Sequence, residues 1–544
     1  MAGLVLLAAP VVLVLVAGWS RRWLNEDAYI NLRVVDQVFA GHGPVFNTGE
    51  RVEVATSPAW IGVLCVARAT LGHLMRMEWV AVVAALAAAV AGFGVATRAS
   101  RLLHAPGDLV LPLGLMLVAA VPVVWDFATS GLEMGAVWLW TAGCWLVLVS
   151  AARRAEPPTG RPRAVSLVVL GLGPLIRPDL AVIAAALLVT WWVIVRPDRR
   201  RLALDVAVAA AIPVAYQVFR MGFYASLVPN TALAKDAGGL HLRQGLTYLG
   251  DLVTTYWLAV PLAVIAVATG LTIARADRNV RAACIGMVVA AVAHAGYITV
   301  AGGDYMHGRL LLPALFAFAL PASIVLGRRD LLVAGLVVAG AAWAVVCAGT
   351  LRFREEPTAA MLPDIIDFRD RNGIQAGVVH VEGPSEGYLS PVEIAELDAA
   401  GRTGYIRVLA DEVVPAGTGG RLVVVFGSIG VPSYRTGIDV WVVDLGGLGE
   451  PLAARAPVIP GRPAGHRKQI DPAWHEARWG VEQPDDPGAA AAARDAMACG
   501  PIRDLLNAVT EPMTPGRFLR NAWSSVRFTT MEVPDDPRDA APCR

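Results

Sequence analysis

The sequence predicts a polytopic α-helical membrane protein that ends in a β-rich extracytoplasmic domain. Three observations carry that prediction. Of the 544 residues, 56% are hydrophobic, against roughly 45–50% for a soluble domain. Apolar runs recur from residue 2 to about residue 350, several of them near the ~20 residues that cross a hydrocarbon core. Charged residues are scarce through that stretch and common after it. The chain therefore divides into a membrane part, 1–350, and a tail, 351–544, long enough to build a core of its own. A net charge of +1 leaves no basic face to neutralise phosphates, which argues against nucleic acid as a partner.

The first run, 2–19, has no small-residue cleavage site and reads as a retained signal-anchor. Residues 28–40 mix Tyr29, Ile30, Val34, Val35, Val38 and Phe39 with Arg33, Asp36 and Gln37. That pattern predicts a short interfacial helix with Trp23 and Tyr29 as aromatic anchors. Turn sequences at 41–44 and 47–50 follow it. Further spans are expected at 57–72, 79–97, 108–125, 133–150, 164–195, 202–219, 254–273, 282–301, 307–327 and 331–349, for a total of about 11.

Arginines cluster at 98/101, 153–163, 196–201, 275–281 and 328/329, and the positive-inside rule assigns those loops to the cytoplasm. Residues 20–57, 125–133, 219–254, 302–307 and the tail then face the periplasm. Two apolar segments between residues 57 and 98 conflict with the odd number of crossings this requires. The run 164–195 carries Gly173-Pro174-Leu175-Ile176-Arg177-Pro178-Asp179 at its middle. It is too short for two full spans, which predicts two shortened helices meeting at a break with Arg177 and Asp179 buried.

In the tail, the β-branched runs 377–381, 422–426 and 440–443 predict strands, 489–493 and 502–506 predict helices, and 484–488 reads as a linker. Cys65, Cys144, Cys284 and Cys347 lie in apolar runs and behave as small hydrophobes. Cys499 and Cys543 suit a disulfide in an oxidising compartment.

Adjacent carboxylates, Glu26 and Asp27, follow the first apolar run and need water, a cation or a reaction at that depth. Topology collects Glu133, Arg177, Asp179, Asn230, Lys235, Asp304, His307 and Arg309 in the same layer. Each has a plain alternative: Glu133 can cap a helix, Lys235 can snorkel to water, and the 303–309 loop can simply be solvated. Together they set carboxylates beside cations, which suits sugar transfer from a lipid-linked phosphate. A carboxylate takes the acceptor proton and cations hold the departing phosphate. A transporter of lipid-linked sugars is the competing reading. A divalent cation held by Glu26, Asp27 and a third carboxylate stays open, since the arginines can replace it.

Several of these stretches resemble bacterial polyprenyl-phosphate-dependent GT-C glycosyltransferases. They are Asp27–Arg33, Ala40–Glu53, Thr56–Trp60, Thr129–Glu133, Arg177–Asp179, Gly303-Asp304 with His307 and Arg309, and Asp444–Arg455 with Gly465-His466. Within that group the chain most resembles the actinobacterial terminal β-(1→2) arabinofuranosyltransferases. The resemblance implies a decaprenyl-phosphoryl-arabinose donor and a cell-wall arabinan acceptor of arabinogalactan or lipoarabinomannan. It also implies inverting transfer on the periplasmic face of the plasma membrane and a carbohydrate-binding-like tail. Mannosyl and other pentosyl donors remain alternatives. The family's acidic pair is often Asp-Asp, so Asp27 inherits the role of base and Glu26 stands as its neighbour.

Overall fold

The computed structural model describes residues 2–236, 238–327, 330–353, 365, 389–407, 412–462 and 465–540. The first apolar run is α1 (Ala2–Ser20). The interfacial segment is α2 (Glu26–Phe39), which starts where the side chain of Asn25 accepts a hydrogen bond from the Asp27 N–H at 2.8 Å, as an asparagine cap should. Then come α3 (Pro58–Leu71) and the 26-residue α4 (Met77–Leu102). The run at 108–125 is divided at its prolines into β1 (Leu109–Leu111), α5 (Leu113–Ala119) and α6 (Pro122–Phe127). Proline lacks the N–H that would continue a helix through 112 and 122.

After α7 (Met134–Ala152) the chain forms α8 (Gly160–Gly171), α9 (Gly173–Ile176), a 3₁₀ turn at Pro178–Leu180 and α10 (Ala181–Val195). The break falls where the sequence places it: Arg177 is extended (φ −156°, ψ 140°) because the residue before a proline avoids the helical region.

The remaining membrane-part helices are α11 (Arg199–Phe223), α12 (Asn230–Ala234), α13 (Leu242–Thr255), α14 (Ala259–Arg275) and α15 (Arg278–Ala301). The axes of α13 and α14 differ by 87°. A 3₁₀ turn, Arg309–Leu311, leads into α16 (Leu312–Ala319), and β2 (Ile324–Leu326) pairs antiparallel with β1 before α17 (Leu331–Thr350).

Among the described residues, seven helices are long and apolar enough to cross a membrane, or eight if the bent pair is one span. This is fewer than the eleven read from apolar runs. The difference lies in 57–72, 108–125 and 307–327, where no helix exceeds the 14 residues of α3. An apolar run reports burial and leaves helix length open. The parity conflict also resolves here. Arg76 and Glu78 share a cavity with Tyr29 and Asp36 of α2 and with Tyr434, so α3 makes no net crossing. Trp23 and Tyr29 are not lipid-facing anchors. Both are buried in protein, Trp23 donating to the Asp126 carbonyl at 2.7 Å and Tyr29 lying 5.4 Å from the Tyr434 ring.

The described tail begins with α18 (Pro391–Ala399) and alternates strand and helix. The order is β3 (Gly404–Arg407), β4 (Glu412–Val414), β5 (Leu422–Phe426), α19 (Gly430–Arg435) and β6 (Trp441–Asp444). The sheet order is β4-β3-β5-β6, parallel except for the β3–β4 pair. Then follow α20 (Ala473–Arg478), α21 (Pro487–Ala498), α22 (Gly500–Thr510) and α23 (Pro515–Thr530).

The described tail is therefore mixed α/β, with more helix than strand, rather than β-rich. The runs at 422–426 and 440–443 are strands, but parallel strands need crossovers and cover. The expected strand at 377–381 lies outside the described residues. So does Cys543, and with it the expected pairing to Cys499; Cys65, Cys144, Cys284 and Cys347 are free.

The tail is packed directly on α2. Arg33 is 1% exposed. It donates to the carbonyls of Phe46 and Val440, both at 2.8 Å, and to those of Ser433 and Gly437. Asn47 exchanges two hydrogen bonds with the Val442 backbone, at 2.9 and 3.0 Å. Arg478, whose side chain is 11% exposed, ties buried Glu50 of the first loop (2.5 Å) to buried Glu450 of the tail (3.1 Å). Removing one partner of such a buried set costs about 3–5 kcal/mol, so α2 is held between the helical bundle and the tail.

Candidate active site

Asp27 sits in the first turn of α2, where a carboxylate is favoured by the unpaired N–H groups and the helix dipole. One of its oxygens lies 3.8 Å from Lys235 Nζ, 3.9 Å from an Arg309 nitrogen and 3.5 Å from the Tyr305 hydroxyl. The two cation distances exceed a direct hydrogen bond, and the Asp27 side chain keeps 15% of its surface exposed. Lys235, whose side chain is 26% exposed, can therefore turn to another anion without a rearrangement of the backbone.

A second tier of buried charges holds Arg309 in place. Arg309 meets Glu133 at 3.2 Å and Asp304 at 3.7 Å, and Glu133 in turn meets Arg177 at 3.0 Å. Arg177 meets Asp179 at 2.9 Å, and Asp179 meets His294 at 2.8 Å. The sequence-read set Asp27, Lys235, Arg309, Asp304, Glu133, Arg177 and Asp179 is thus one connected chain of charges. Its inner members are buried and face one another, so they position Arg309 and keep it charged.

The loop at 302–309 is fixed from beneath by Tyr248. Its hydroxyl donates to the Met306 carbonyl at 2.9 Å and accepts from the Leu310 N–H at 3.0 Å. Gly303 (φ +71°) lies against that ring so closely that a Cβ would come within 2.4 Å of it.

Three expected site residues are engaged elsewhere. Glu26 turns to the tail, where its Oε1 accepts from Ser428 Oγ at 2.8 Å and from the Gly430 N–H. Burial first, and the Asp27 charge second, push its carboxyl from 4.5 to about 7. Asn230 is 6% exposed and donates to the carbonyls of Gly447, Leu448 and Glu450, so it clasps the tail rather than facing Asp27. His307 has Nδ1 2.6 Å from Asp251 and Nε2 3.1 Å from the Tyr256 hydroxyl, with Phe353 stacked at 4.2 Å. These contacts occupy both ring nitrogens.

Glu26, Asp27 and Asp304 do not converge, and among the described residues no group of three or more His, Cys, Asp or Glu side chains could hold a metal ion.

Charge-based reading missed Tyr305, His466 and His294. Tyr305 bridges Asp27 and Lys235 (5.7 Å from the ring) and packs edge-on against His466 at 4.7 Å. The signal for the first two was their place inside the quoted stretches 303–309 and 465–466. His294 lies alone in an apolar helix and carries no signal until its partner Asp179 is seen.

Two openings adjoin this set. A cavity of about 630 Å³ is lined by Asp304, Tyr248, His241, Gln244 and Arg467. A wholly apolar groove of about 270 Å³ runs past Leu252, Leu258, Ala291, Leu315 and Phe318, and starts at Leu311, two residues beyond Arg309.

Comparison with known proteins gives this geometry its family. Residues 417–542 match the model of the AftB family C-terminal domain. The chain is 33% identical to the terminal β-(1→2)-arabinofuranosyltransferase of Mycobacterium tuberculosis, over 96% of this chain and 94% of the relative. It belongs to the terminal β-(1→2)-arabinofuranosyltransferase family. A second relative of that name, from Corynebacterium glutamicum, is 30% identical over 96% of this chain and 85% of its own length. No solved structure matches. The chain is thus a membrane protein of a glycosyltransferase family, and its charged centre, from Asp27 to Arg309, lies outside the matched tail domain.

Proposed function

We propose that this protein transfers an arabinofuranosyl residue from a polyprenyl-phosphate donor to a cell-wall arabinan. In this reading a membrane unit of GT-C type (1–350) carries the reaction on the periplasmic face, and a carbohydrate-binding tail (351–544) covers it. The observation that carries the reading is Asp27 with Lys235 and Arg309 at 3.8 and 3.9 Å. The donor phosphate settles between Lys235 and Arg309, which releases Asp27 to the acceptor. The acceptor hydroxyl gives its proton to Asp27 and its oxygen attacks the anomeric carbon in line. The bond from that carbon to the phosphate oxygen breaks, and polyprenyl phosphate leaves with its new charge on the two cations. The apolar groove at Leu311 fits the first prenyl units, and the cavity at Asp304 has room for acceptor sugars.

The cytoplasmic assignment of the arginine-rich loops, with α3 making no net crossing, supports the periplasmic placement. The test is transfer by purified protein in proteoliposomes offered a panel of polyprenyl-phosphoryl sugars and an arabinan oligomer. Arabinofuranose alone should be transferred, with its configuration inverted when read by NMR. Transfer of a hexose instead overturns the sugar assignment. Retention of configuration overturns the single displacement. Movement of the intact donor across the bilayer without product overturns the enzyme.

A further inference from the structure

We propose that α23, although it belongs to the tail, is a membrane-surface helix that seats the tail on the lipid leaflet it faces. Its inner face carries Phe518, Asn521, Ser525 and Phe528. Asn521 donates to the carbonyls of Gly222 (3.1 Å) and Ala508 (3.0 Å), and the Phe518 ring lies so close to Gly222 that a Cβ there would come within 2.3 Å. Thr529, near its C-terminal end, accepts from the Leu227 N–H at 2.8 Å. Both ends of α23 are thereby fastened at the C-terminal end of α11, one of the helices long and apolar enough to cross a membrane.

The outer face is apolar where a soluble domain would be polar. Leu519, Trp523 and Val526 are 69%, 89% and 54% exposed and stand at i, i+4 and i+7, one stripe of a helix. The helix it is fastened to, α11, likewise leaves Val214 and Val218 about half exposed. Arg520 and Arg527 lie on the same exposed side, Arg527 also pairing with Asp504 at 2.8 Å. A tryptophan between aliphatic residues and flanking arginines is the composition that settles at the boundary of acyl chains and phosphates. The occupant of this face is therefore lipid: acyl chain against Leu519, Trp523 and Val526, headgroup phosphate against the two arginines.

The inference rests on α11 crossing the membrane, and the experiment separates the two. Full-length protein carrying p-benzoylphenylalanine at position 519, 523 or 526 is reconstituted in phosphatidylethanolamine–phosphatidylglycerol liposomes and irradiated, and adducts are identified by mass spectrometry. The same residue at Val214 reports on α11, and at Glu482, an exposed loop position of the tail, it gives the background. Lipid adducts at 519, 523 and 526 close to the Val214 yield and several-fold above Glu482 support the proposal. Adducts to a second copy of the chain, or lipid yields at the Glu482 level, overturn it. Background yield at Val214 as well removes the membrane assignment of α11 on which the proposal stands.

Discussion

Replacing Asp27 by Asn separates chemistry from stability at this site. Asparagine keeps the shape of the side chain, and the Asn25 cap, which accepts from the backbone N–H of residue 27, is untouched. Arg309 keeps Glu133 at 3.2 Å and Asp304 at 3.7 Å, and the Lys235 side chain is 26% exposed and turns to water. The lost attractions are thus partly solvated or replaced, and the cost to folding is about 1 kcal/mol or less.

In the proposed reaction the substitution removes the proton acceptor. A positioned general base contributes ~10²–10⁴-fold, which is about 2.7–5.4 kcal/mol of barrier at 1.36 kcal/mol per decade. Initial rates with a radiolabelled polyprenyl-phosphoryl arabinose and an arabinan oligomer, alongside apparent Tm in the same detergent, read both quantities. The Asn variant should match the wild-type Tm within a few degrees and lose at least a hundredfold in kcat. A variant within tenfold of wild type in kcat removes Asp27 from the chemistry. A large fall in Tm with the rate loss assigns Asp27 to the fold instead.

Lys235→Met removes the more exposed cation, and the charge-assisted bond it would make to phosphate is worth about 1.5–3 kcal/mol. The KM for donor should therefore rise about tenfold to a hundredfold; an unchanged donor KM with a raised acceptor KM sinks the phosphate assignment. Glu26 is held at about 7 against 4.5, so the folded chain binds this proton more tightly than the unfolded one. That stabilisation is present below pH 4.5 and lost as pH rises through 7, about 3 kcal/mol in all. Glu26→Gln should match wild type in apparent Tm near pH 4.5 and exceed it at pH 7.5, and parallel Tm profiles across that range would contradict the shift. Gly430→Ala would set a methyl group 2.0 Å from the Glu26 carbonyl oxygen. Such overpacking costs about 1–3 kcal/mol and should make the tail more sensitive to protease; wild-type digestion kinetics would show that the contact is slack.

The sequence exposed what depends on sharp contrasts in polarity. The long helices α1, α4, α7, α11, α15 and α17 stand out as apolar runs, and the break at Arg177-Pro178 follows from proline geometry alone. The short pieces at 108–127 and 309–326 do not, because buried strand, short helix and full span share one composition. Asp27, Lys235 and Arg309 are charges in an apolar setting and so announce themselves. Tyr305 and His294 are ambivalent residues whose meaning comes from the carboxylates they meet, which lie 278 and 115 positions away. The contacts of Glu26 were equally hidden, although the resemblance already gives Asp27 the role of base. Neighbours on a helix point about 100° apart, and only the packed tail shows which of the two faces it.

The clasp on α2 gives the enzyme a temporal order of assembly. Arg33 is among the earliest residues to leave the ribosome, while Ser433, whose carbonyl it must reach, is synthesised 400 positions later. At about 5–20 residues per second that interval is roughly 20–80 s. Through it α2 has a membrane bundle on one side and no roof on the other, and the Arg33 guanidinium lacks the three tail carbonyls of Ser433, Gly437 and Val440. A chain stopped between Arg309 and α19 therefore carries every charged residue of the centre without the cover that orients α2. Translation must therefore run past Val440 before α2 acquires its final setting.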